Sequence, residues 1–320
     1  MKEAIRGFNN QIKFEPKIEN KKNLALYKKF IVSGMGGSHL AADLIKTWQP
    51  SFDLIIHHDY GLPATPDDLK NYLVIISSYS GNTEEALSGF EEAISKKLPL
   101  TAISIGGELL KLSKKHKKPY IQIPDTGIEP RSALGFSLIS LLKIMSQEKA
   151  LSEIKKLSFD MDGLEQKGKE LALRLKNHIP VIYTSNINGP IGYNWKIRFN
   201  ETGKIPCFCN TIPELNHNEM VGFDREGKSR RLSDKFYFIF IKDKNDHRRN
   251  LLRMDILKDI YQEKELPVEI IRLKGKNIWE KIFSSLLLAD WAAFYTAGQY
   301  QLKAQETEII TKFKDIIKKK

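Results

Sequence analysis

The sequence predicts an α/β fold made of two doubly wound parallel-sheet domains that are related by internal duplication. Short apolar strands alternate with helical segments along the 320 residues, a pattern typical of parallel sheets covered on both faces. The order of strands and helices in the first half recurs in the second half. The length suits two domains of ordinary size, and we assign them to residues 1–152 and 153–320.

The first half contains five predicted strands and four predicted helices. Apolar runs of four to eight residues bounded by turn residues indicate strands, and longer segments with a helical period indicate helices. In chain order they are KFIVSG, HLAADLIKTW, FDLIIHHDYGLP, NYLVIISS, NTEEALSGFEEAISKK, LPLTAISIG, ELLKLSKKH, YIQIP and SALGFSLISLLKIM.

The second half follows the same order after a linker near LSEIKKLSFDMDGLEQKG. Its segments are IPVIYTS, PIGYNWKIRFNETGK, IPCFCN, KFYFIFIKD, HRRNLLRMDILKDIYQEK, LPVEIIRLKG and NIWEKIFSSLLLADWAAFYTAG. Where the first half has the loop SSYSGNTEE, the second has IKDKNDHRR, which we interpret as a charged surface turn. Ligands of open parallel sheets bind beyond the carboxyl ends of the strands, so we expect the first half to hold an anion there.

Composition narrows the classes of function. The formal net charge is +12, as in many nucleic-acid-binding proteins, but no RNP, KH or helix-turn-helix pattern accompanies it. We therefore favour a lysine-rich surface that attracts anionic substrates, with no nucleic-acid or membrane partner. No apolar run reaches the roughly 20 residues of a membrane span, and no signal-peptide core is evident. Only two cysteines occur, Cys207 and Cys209, which favours a cytoplasmic protein.

Two glycine- and hydroxyl-rich turns of the first half are candidates for phosphate binding. Gly37 and Ser38 open a helix directly after a strand, where backbone N–H groups favour an anion. Ser78, Ser80 and Thr83 can point into one pocket and bind a phosphate monoester without a lysine. The alternative interpretation of the second turn is helix capping by Asn82 or Thr83, and the two interpretations are compatible.

Three further side chains suit proton transfer. Arg131 follows a proline before an apolar helix, where it could meet an oxyanion; taken alone, it is more typical of a surface arginine. Glu201 and His217 supply the carboxylate and imidazole that move protons near neutral pH, although each alone could be an ordinary polar residue. The cysteines and the run His57–Asp59 lack zinc-type spacing, so we expect no metal.

Four segments together resemble the archaeal and bacterial bifunctional phosphoglucose/phosphomannose isomerases, which consist of two sugar isomerase (SIS) domains. They are GMGGSHLAADL, SYSGNTEEAL, EPRSALG, and WKIRFNETGKIP followed by PELNHNEMVGF. The first two segments mark SIS domains in general. The last pair of motifs is much more specific, and it separates this family from SIS-domain regulators and glucosamine synthases.

The resemblance implies that the chain interconverts glucose 6-phosphate, and also mannose 6-phosphate, with fructose 6-phosphate, without a cofactor or metal. It implies that Glu201 carries the proton between C1 and C2, that Arg131 stabilises the enediolate, and that His217 opens the sugar ring from the other subunit of a homodimer. Substrate ligands are implied at Gly37, Ser38, Ser78, Ser80, Thr83, Thr296 and Lys303. The rival interpretation is a non-catalytic SIS-type regulator that binds a sugar phosphate.

Overall fold

The computed structural model describes residues 1–65 and 68–317. Their contacts divide the chain into two compact units. The N-terminal unit comprises Arg6–Phe159, and the C-terminal unit comprises Met1–Ile5 together with the chain from Asp160 onward.

The first 159 residues form a six-stranded sheet with helices between its strands. The strands lie in the order β1-β6-β5-β4-β2-β3, and all neighbours are parallel except β1, which pairs antiparallel with β6. The elements are α1 (Lys2–Arg6), α2 (Phe8–Gln11), β1 (Ile18–Glu19), β2 (Lys29–Ser33), α3 (Leu40–Trp48), β3 (Leu54–His57), β4 (Tyr72–Ser77), α4 (Glu84–Ser95), β5 (Leu100–Ser104), α5 (Gly107–Lys115), β6 (Tyr120–Gln122), α6 (Leu134–Ile144) and α7 (Glu148–Lys155).

The central strand β4 explains why the sequence contains uninterrupted apolar runs. All six of its residues are buried, because a strand inside a parallel sheet is covered on both faces. On one face, Val74 and Ile76 lie in a core cluster with Phe90 of α4 and Leu109 of α5. The rigid sheet therefore fixes the position of the loop that leaves β4 at Ser77.

The C-terminal unit contains a four-stranded parallel sheet in the order β10-β9-β7-β8. By position in the chain this is the same order as β5-β4-β2-β3, so the predicted duplication is confirmed at the level of topology. The elements are α8 (Met161–Arg174), β7 (Ile179–Ser185), α9 (Gly189–Glu201), β8 (Phe208–Ile212), β9 (Phe236–Lys242), α10 (Arg248–Glu263), β10 (Val268–Arg272), α11 (Ile278–Gln299) and α12 (Glu308–Ile317).

Three parts of the fold differ in detail from the sequence-based interpretation. The segment at 151–168, which we expected to link the domains, consists largely of the end of α7 and the start of α8. The short antiparallel strand β1 and the C-terminal helix α12 were not expected. Among the described helices, none is both long enough and apolar enough to cross a membrane.

Candidate functional site

Three loops of the N-terminal unit meet beyond the carboxyl ends of its strands. They contain Gly34–Ser38, Ser78–Thr83 and Glu129–Ser132. A Cβ atom on Gly37 would lie 2.7 Å from the backbone nitrogen of Arg131, and one on Gly34 would lie 2.5 Å from the carbonyl oxygen of Ser77. The glycines of the first loop therefore permit a close approach to the other two loops that any side chain would prevent.

The hydroxyl groups of these loops bind the backbone and one another. Ser38 is buried, and its Oγ accepts a hydrogen bond from the backbone N–H of Tyr79 at 2.9 Å. Ser78 is also buried; its hydroxyl donates to the Thr83 hydroxyl at 3.0 Å. Ser80 is exposed, and its Oγ accepts from the Asn82 N–H at 3.3 Å. The loop thus presents several hydroxyl and N–H groups within a few residues, as a phosphate monoester requires.

The turn at Gly81 gives the loop its curvature. Its φ of +72° is in the left-handed region that favours glycine. Thr83 precedes α4, but its side chain makes no capping hydrogen bond there. The amide oxygen of Asn82 instead accepts from the Glu108 N–H at the start of α5. The alternative interpretation of this loop is therefore right that Thr83 is the N-cap residue of α4 and wrong that a side chain caps the helix; Glu84 and Glu85 lie in the first turn of α4.

Arg131 is one of the most deeply buried charged residues of the N-terminal unit. Only 1% of it is exposed, so the interpretation as a surface arginine is wrong. One of its guanidinium nitrogens lies 3.6 Å from a carboxylate oxygen of Glu129. Tyr79, within the loop Ser78–Thr83, is also buried, and burial raises its pKa to about 12. Arg131 is therefore a cation held within the fold rather than on a mobile side chain.

Glu201 is the last residue of α9 and is half-buried. The helix that carries it is firmly anchored, because the indole N–H of Trp195 donates to the Ser285 hydroxyl at 2.9 Å. Arg198 forms a buried ion pair with Asp290 of α11 at 2.8 Å. A carboxylate at the end of such a helix has a well-defined position, which a general base requires.

The turn after Glu201 contacts the chain that follows α11. Lys204 donates to the backbone carbonyl of Glu306, whose carboxylate binds Lys303 at 2.7 Å. This hydrogen bond raises the pKa of Lys303, which is exposed. Thr296 is fully buried in α11, and its hydroxyl donates to the Ala292 carbonyl at 2.8 Å. Substrate contacts of Thr296 and Lys303 stay predictions.

His217 is exposed on a short 3-10 helix, Glu214–His217, which follows a cis peptide bond between Ile212 and Pro213. Leu215 anchors this turn in the core, where it is fully buried. The next residue but one after His217 is Glu219, whose carboxylate accepts hydrogen bonds from two strands. Local sequence patterns do not point to Glu219, because one of its two partners, Tyr183, lies 36 residues earlier in the chain.

The loop IKDKNDHRR is a charged surface turn only in part: Lys244, Asn245 and His247–Arg249 are exposed, but two of its carboxylates are not. Asp243 and Asp246 are buried. Asp246 accepts hydrogen bonds from the Ser185 hydroxyl, from Asn188 at 2.9 Å and from the Asp243 N–H at 3.1 Å, while Asp243 pairs with Lys281 at 2.6 Å. Burial raises the pKa of Asp246. At this position of the second repeat, a carboxylate of the chain itself occupies the donors that could hold an anion.

Among residues 1–65 and 68–317, no group of three or more histidine, cysteine, aspartate or glutamate side chains is arranged to hold a metal ion. Cys207 and Cys209 are both free thiols, and burial raises the pKa of each.

Of the ten predicted site residues, six lie on the three touching loops of the N-terminal unit: Gly37, Ser38, Ser78, Ser80, Thr83 and Arg131. The C-terminal unit carries Glu201, His217, Thr296 and Lys303.

Comparison with known proteins finds similarity along the whole chain. Residues 164–317 match the family described as the bacterial phospho-glucose isomerase C-terminal SIS domain. The chain is 33% identical to a bifunctional phosphoglucose/phosphomannose isomerase of Aquifex aeolicus, over 99% of this chain and 98% of that protein. It is 34% identical to a protein of the same name from Caldicellulosiruptor bescii, over 85% of this chain and 84% of that protein.

Solved structures show the same fold at much lower sequence identity. The crystal structure of a glucosamine-6-phosphate deaminase from Thermotoga maritima superposes with a TM-score of 0.67 and 13% identity, over 95% of each chain. Its resemblance concerns the fold alone. Together with the match of residues 164–317 to an SIS-domain family, it confirms the predicted α/β architecture with two parallel-sheet domains.

Proposed function

The chain belongs to the bifunctional phosphoglucose/phosphomannose isomerase family, and from that premise we propose that it interconverts hexose 6-phosphates. The aldoses are glucose 6-phosphate and mannose 6-phosphate, and the ketose is fructose 6-phosphate. A single structural observation carries the substrate class: hydroxyls and N–H groups cluster on loops at the carboxyl ends of the strands, where Ser78 is bonded to Thr83. Such a cluster suits the phosphate end of a sugar.

The reaction needs a base, because a proton on carbon next to a carbonyl is only weakly acidic. In our proposal the Glu201 carboxylate takes the proton from C2 of the aldose, which leaves an enediolate with its negative charge on O1. Glu201 then returns the proton to C1, and the O2 proton moves to O1, so that C2 becomes the ketone carbon. The half-buried position of Glu201 at the end of an anchored helix supports this role.

Arg131 has the proposed role of stabilising the enediolate. A fixed cation lowers the energy of a developing oxyanion most effectively when it needs no reorganisation during the reaction. The burial of Arg131 supports this role, because a guanidinium that is 1% exposed has little freedom to move.

His217 has the proposed role of opening the sugar ring: it takes the proton of the anomeric hydroxyl and gives a proton to the ring oxygen as the bond between C1 and the ring oxygen breaks. We propose that it acts in the site of the partner in a homodimer. The exposure of His217 on the surface of its own unit supports this arrangement.

We also propose that the enzyme is cytoplasmic. The two free cysteines support this location, because a reducing compartment keeps thiols unpaired.

The decisive experiment is a coupled assay with all three hexose 6-phosphates, using wild type and Glu201→Gln. We expect wild-type turnover and a loss on the order of 10²-fold or more in the variant, since it lacks the general base. The matched control is Glu263→Gln, because Glu263 is also the last residue of its helix but is exposed.

Two outcomes would contradict the proposal. Activity at background level in both the wild type and Glu201→Gln would show that the chain is not this isomerase. Calorimetric binding of fructose 6-phosphate without entry of solvent deuterium at C1 or C2 would favour the rival function, a sugar-phosphate-binding regulator. Turnover of glucose 6-phosphate but not of mannose 6-phosphate would contradict only the proposed dual specificity.

A further inference from the structure

The carboxylate of Glu219 is held at both of its oxygens by two different strands. The Tyr183 hydroxyl of β7 donates to Oε1 at 2.5 Å, and the side-chain amide of Asn210 in β8 donates to Oε2 at 2.5 Å. Tyr183 and Asn210 are directly opposite each other in the pairing of these parallel strands. The two donors are therefore fixed by the sheet, and Glu219 spans them.

The chemistry of the donors favours strong hydrogen bonds. Tyr183 is fully buried, and burial raises its pKa far above the ordinary value, so the phenol keeps the proton that it donates. Hydrogen bonds to an ionised carboxylate are short and roughly twice as strong as those between neutral groups. Removal of the acceptor would leave the buried Tyr183 hydroxyl and the half-buried Asn210 amide without these partners.

Glu219 and Leu215 bracket His217 in the chain. Leu215 is fully buried on one side of it, while Asn218 on the other side accepts a hydrogen bond from the Glu219 N–H at 2.6 Å. Beyond Glu219, Met220 packs against the core cluster of the C-terminal unit. His217 itself is exposed, so its position in space depends on the anchors that flank it.

We propose that Glu219 is a positioning residue for His217, which ties the histidine-bearing loop to strands β7 and β8. This inference rests on the proposed function, because it takes His217 to be the group that opens the sugar ring. Glu219 acts only through the position of His217 and makes no contact with the substrate. The ring-opening acid/base is then positioned through a carboxylate two residues away in the chain.

The first test compares Glu219→Met with His217→Gln and with the double variant. Methionine keeps the length of the side chain and removes both acceptors. We expect Glu219→Met to lower kcat by roughly 10- to 10²-fold with KM changed much less, as for a misplaced catalytic group. The kcat of the double variant should be no more than about 2-fold below that of the less active single variant, because both changes disable the same function.

Matched variants separate positioning from general damage. Glu226→Met carries the same substitution at an exposed glutamate seven residues further on and should retain wild-type kinetics. Glu219→Gln keeps an acceptor oxygen and an amide that can still bond both strands, so it should recover most of the activity. If Glu219→Gln is as impaired as Glu219→Met, or if the losses of the double variant multiply, the positioning role is wrong.

A second measurement does not depend on activity. Hydrogen exchange followed by mass spectrometry should show faster exchange of the backbone amides in 214–223 for Glu219→Met, with β9 unchanged and with Glu226→Met like wild type. Unchanged exchange in 214–223 would overturn the inference even in an active enzyme. An inactive wild type with the expected exchange pattern would instead overturn the proposed function and leave the anchoring of the loop supported.

Discussion

The Ser78 hydroxyl donates to the Thr83 hydroxyl across 3.0 Å, so the two ends of the loop between β4 and α4 are joined by their own side chains. Ser78 Oγ also accepts from the Gly81 N–H at 3.1 Å. The loop is therefore ordered before any ligand arrives. A preordered loop loses less conformational entropy on binding, which increases affinity for a given set of contacts.

Ser78→Ala should weaken substrate binding more than it slows the chemistry. The substitution removes one hydroxyl from the proposed phosphate cluster and breaks its bond to Thr83. Loss of a hydrogen bond to a charged group corresponds to roughly a 10-fold or greater rise in KM for fructose 6-phosphate. Steady-state kinetics measures this, with Ser95→Ala as control, because the exposed Ser95 hydroxyl donates to the Glu92 carbonyl of its own helix. A fall in kcat with KM unchanged would argue against phosphate binding by Ser78.

Gly81→Ala should destabilise the loop strongly. The left-handed φ of +72° disfavours any side chain, and a Cβ atom would lie 2.0 Å from the Gly106 carbonyl oxygen. We expect the backbone strain alone to lower the free energy of unfolding by roughly 1–3 kcal/mol. We also expect a raised KM. Gly298→Ala is the control, since a Cβ there meets nothing within 4 Å. Denaturant unfolding compares the two; equal stabilities would show that the loop adapts without strain.

Complementation tests whether His217 acts across a dimer. Glu201→Gln and His217→Gln are each expected to be nearly inactive alone. In refolded 1:1 mixtures, half of the dimers are mixed, and each mixed dimer has one site with both groups intact. The mixture should therefore recover about a quarter of wild-type activity if His217 serves the partner's site in a twofold dimer.

The same mixture distinguishes the other arrangements. No recovery, despite mixed dimers seen by differential tagging, would show that Glu201 and His217 act within one chain. An active monomer in sedimentation would contradict the proposed dimer altogether. Mixing wild type with Glu201→Gln is the control, because its activity should equal the sum of the separate proteins.

Asp246 should make stability depend on pH in a definite direction. Burial raises its pKa from the ordinary value of 3.8. A carboxyl with a raised pKa in the folded state contributes stability that is fully present below the unfolded pKa and is lost as pH rises through the folded pKa. Asp246→Asn cannot ionise. The urea midpoint of wild type should therefore fall relative to that of Asp246→Asn as pH rises from about 4 to about 6.

The control for this measurement is Asp259→Asn, which removes an exposed carboxylate from α10. It reports how the urea midpoint responds to the loss of a surface charge. A difference between wild type and Asp246→Asn that is constant with pH, or that moves the other way, would mean that the hydrogen bonds to Asp246 outweigh its burial.

The alternation of strands and helices and the duplication could both be predicted from the sequence. Short continuous apolar runs such as YLVII are typical of strands covered on both faces, and such a run is visible within a few residues of sequence. The order of these runs is the same in both halves, and the sheet order confirms their equivalence. The motifs around Ser78, Glu201 and His217 were also recognisable, because residues close in sequence form them.

The burial of particular charged residues, and the contacts that they make, became apparent only in the three-dimensional fold. Arg131 and Asp246 both resemble surface residues in the sequence, yet the fold buries them. For Asp246 the reason is that Ser185 and Asn188, which donate to its carboxylate, are distant in the chain. The contacts of Glu219 also depend on the fold, since the pairing of β7 with β8 brings Tyr183 and Asn210 together beside it. Burial and hydrogen bonding of polar groups depend on long-range packing, and local sequence patterns do not contain it.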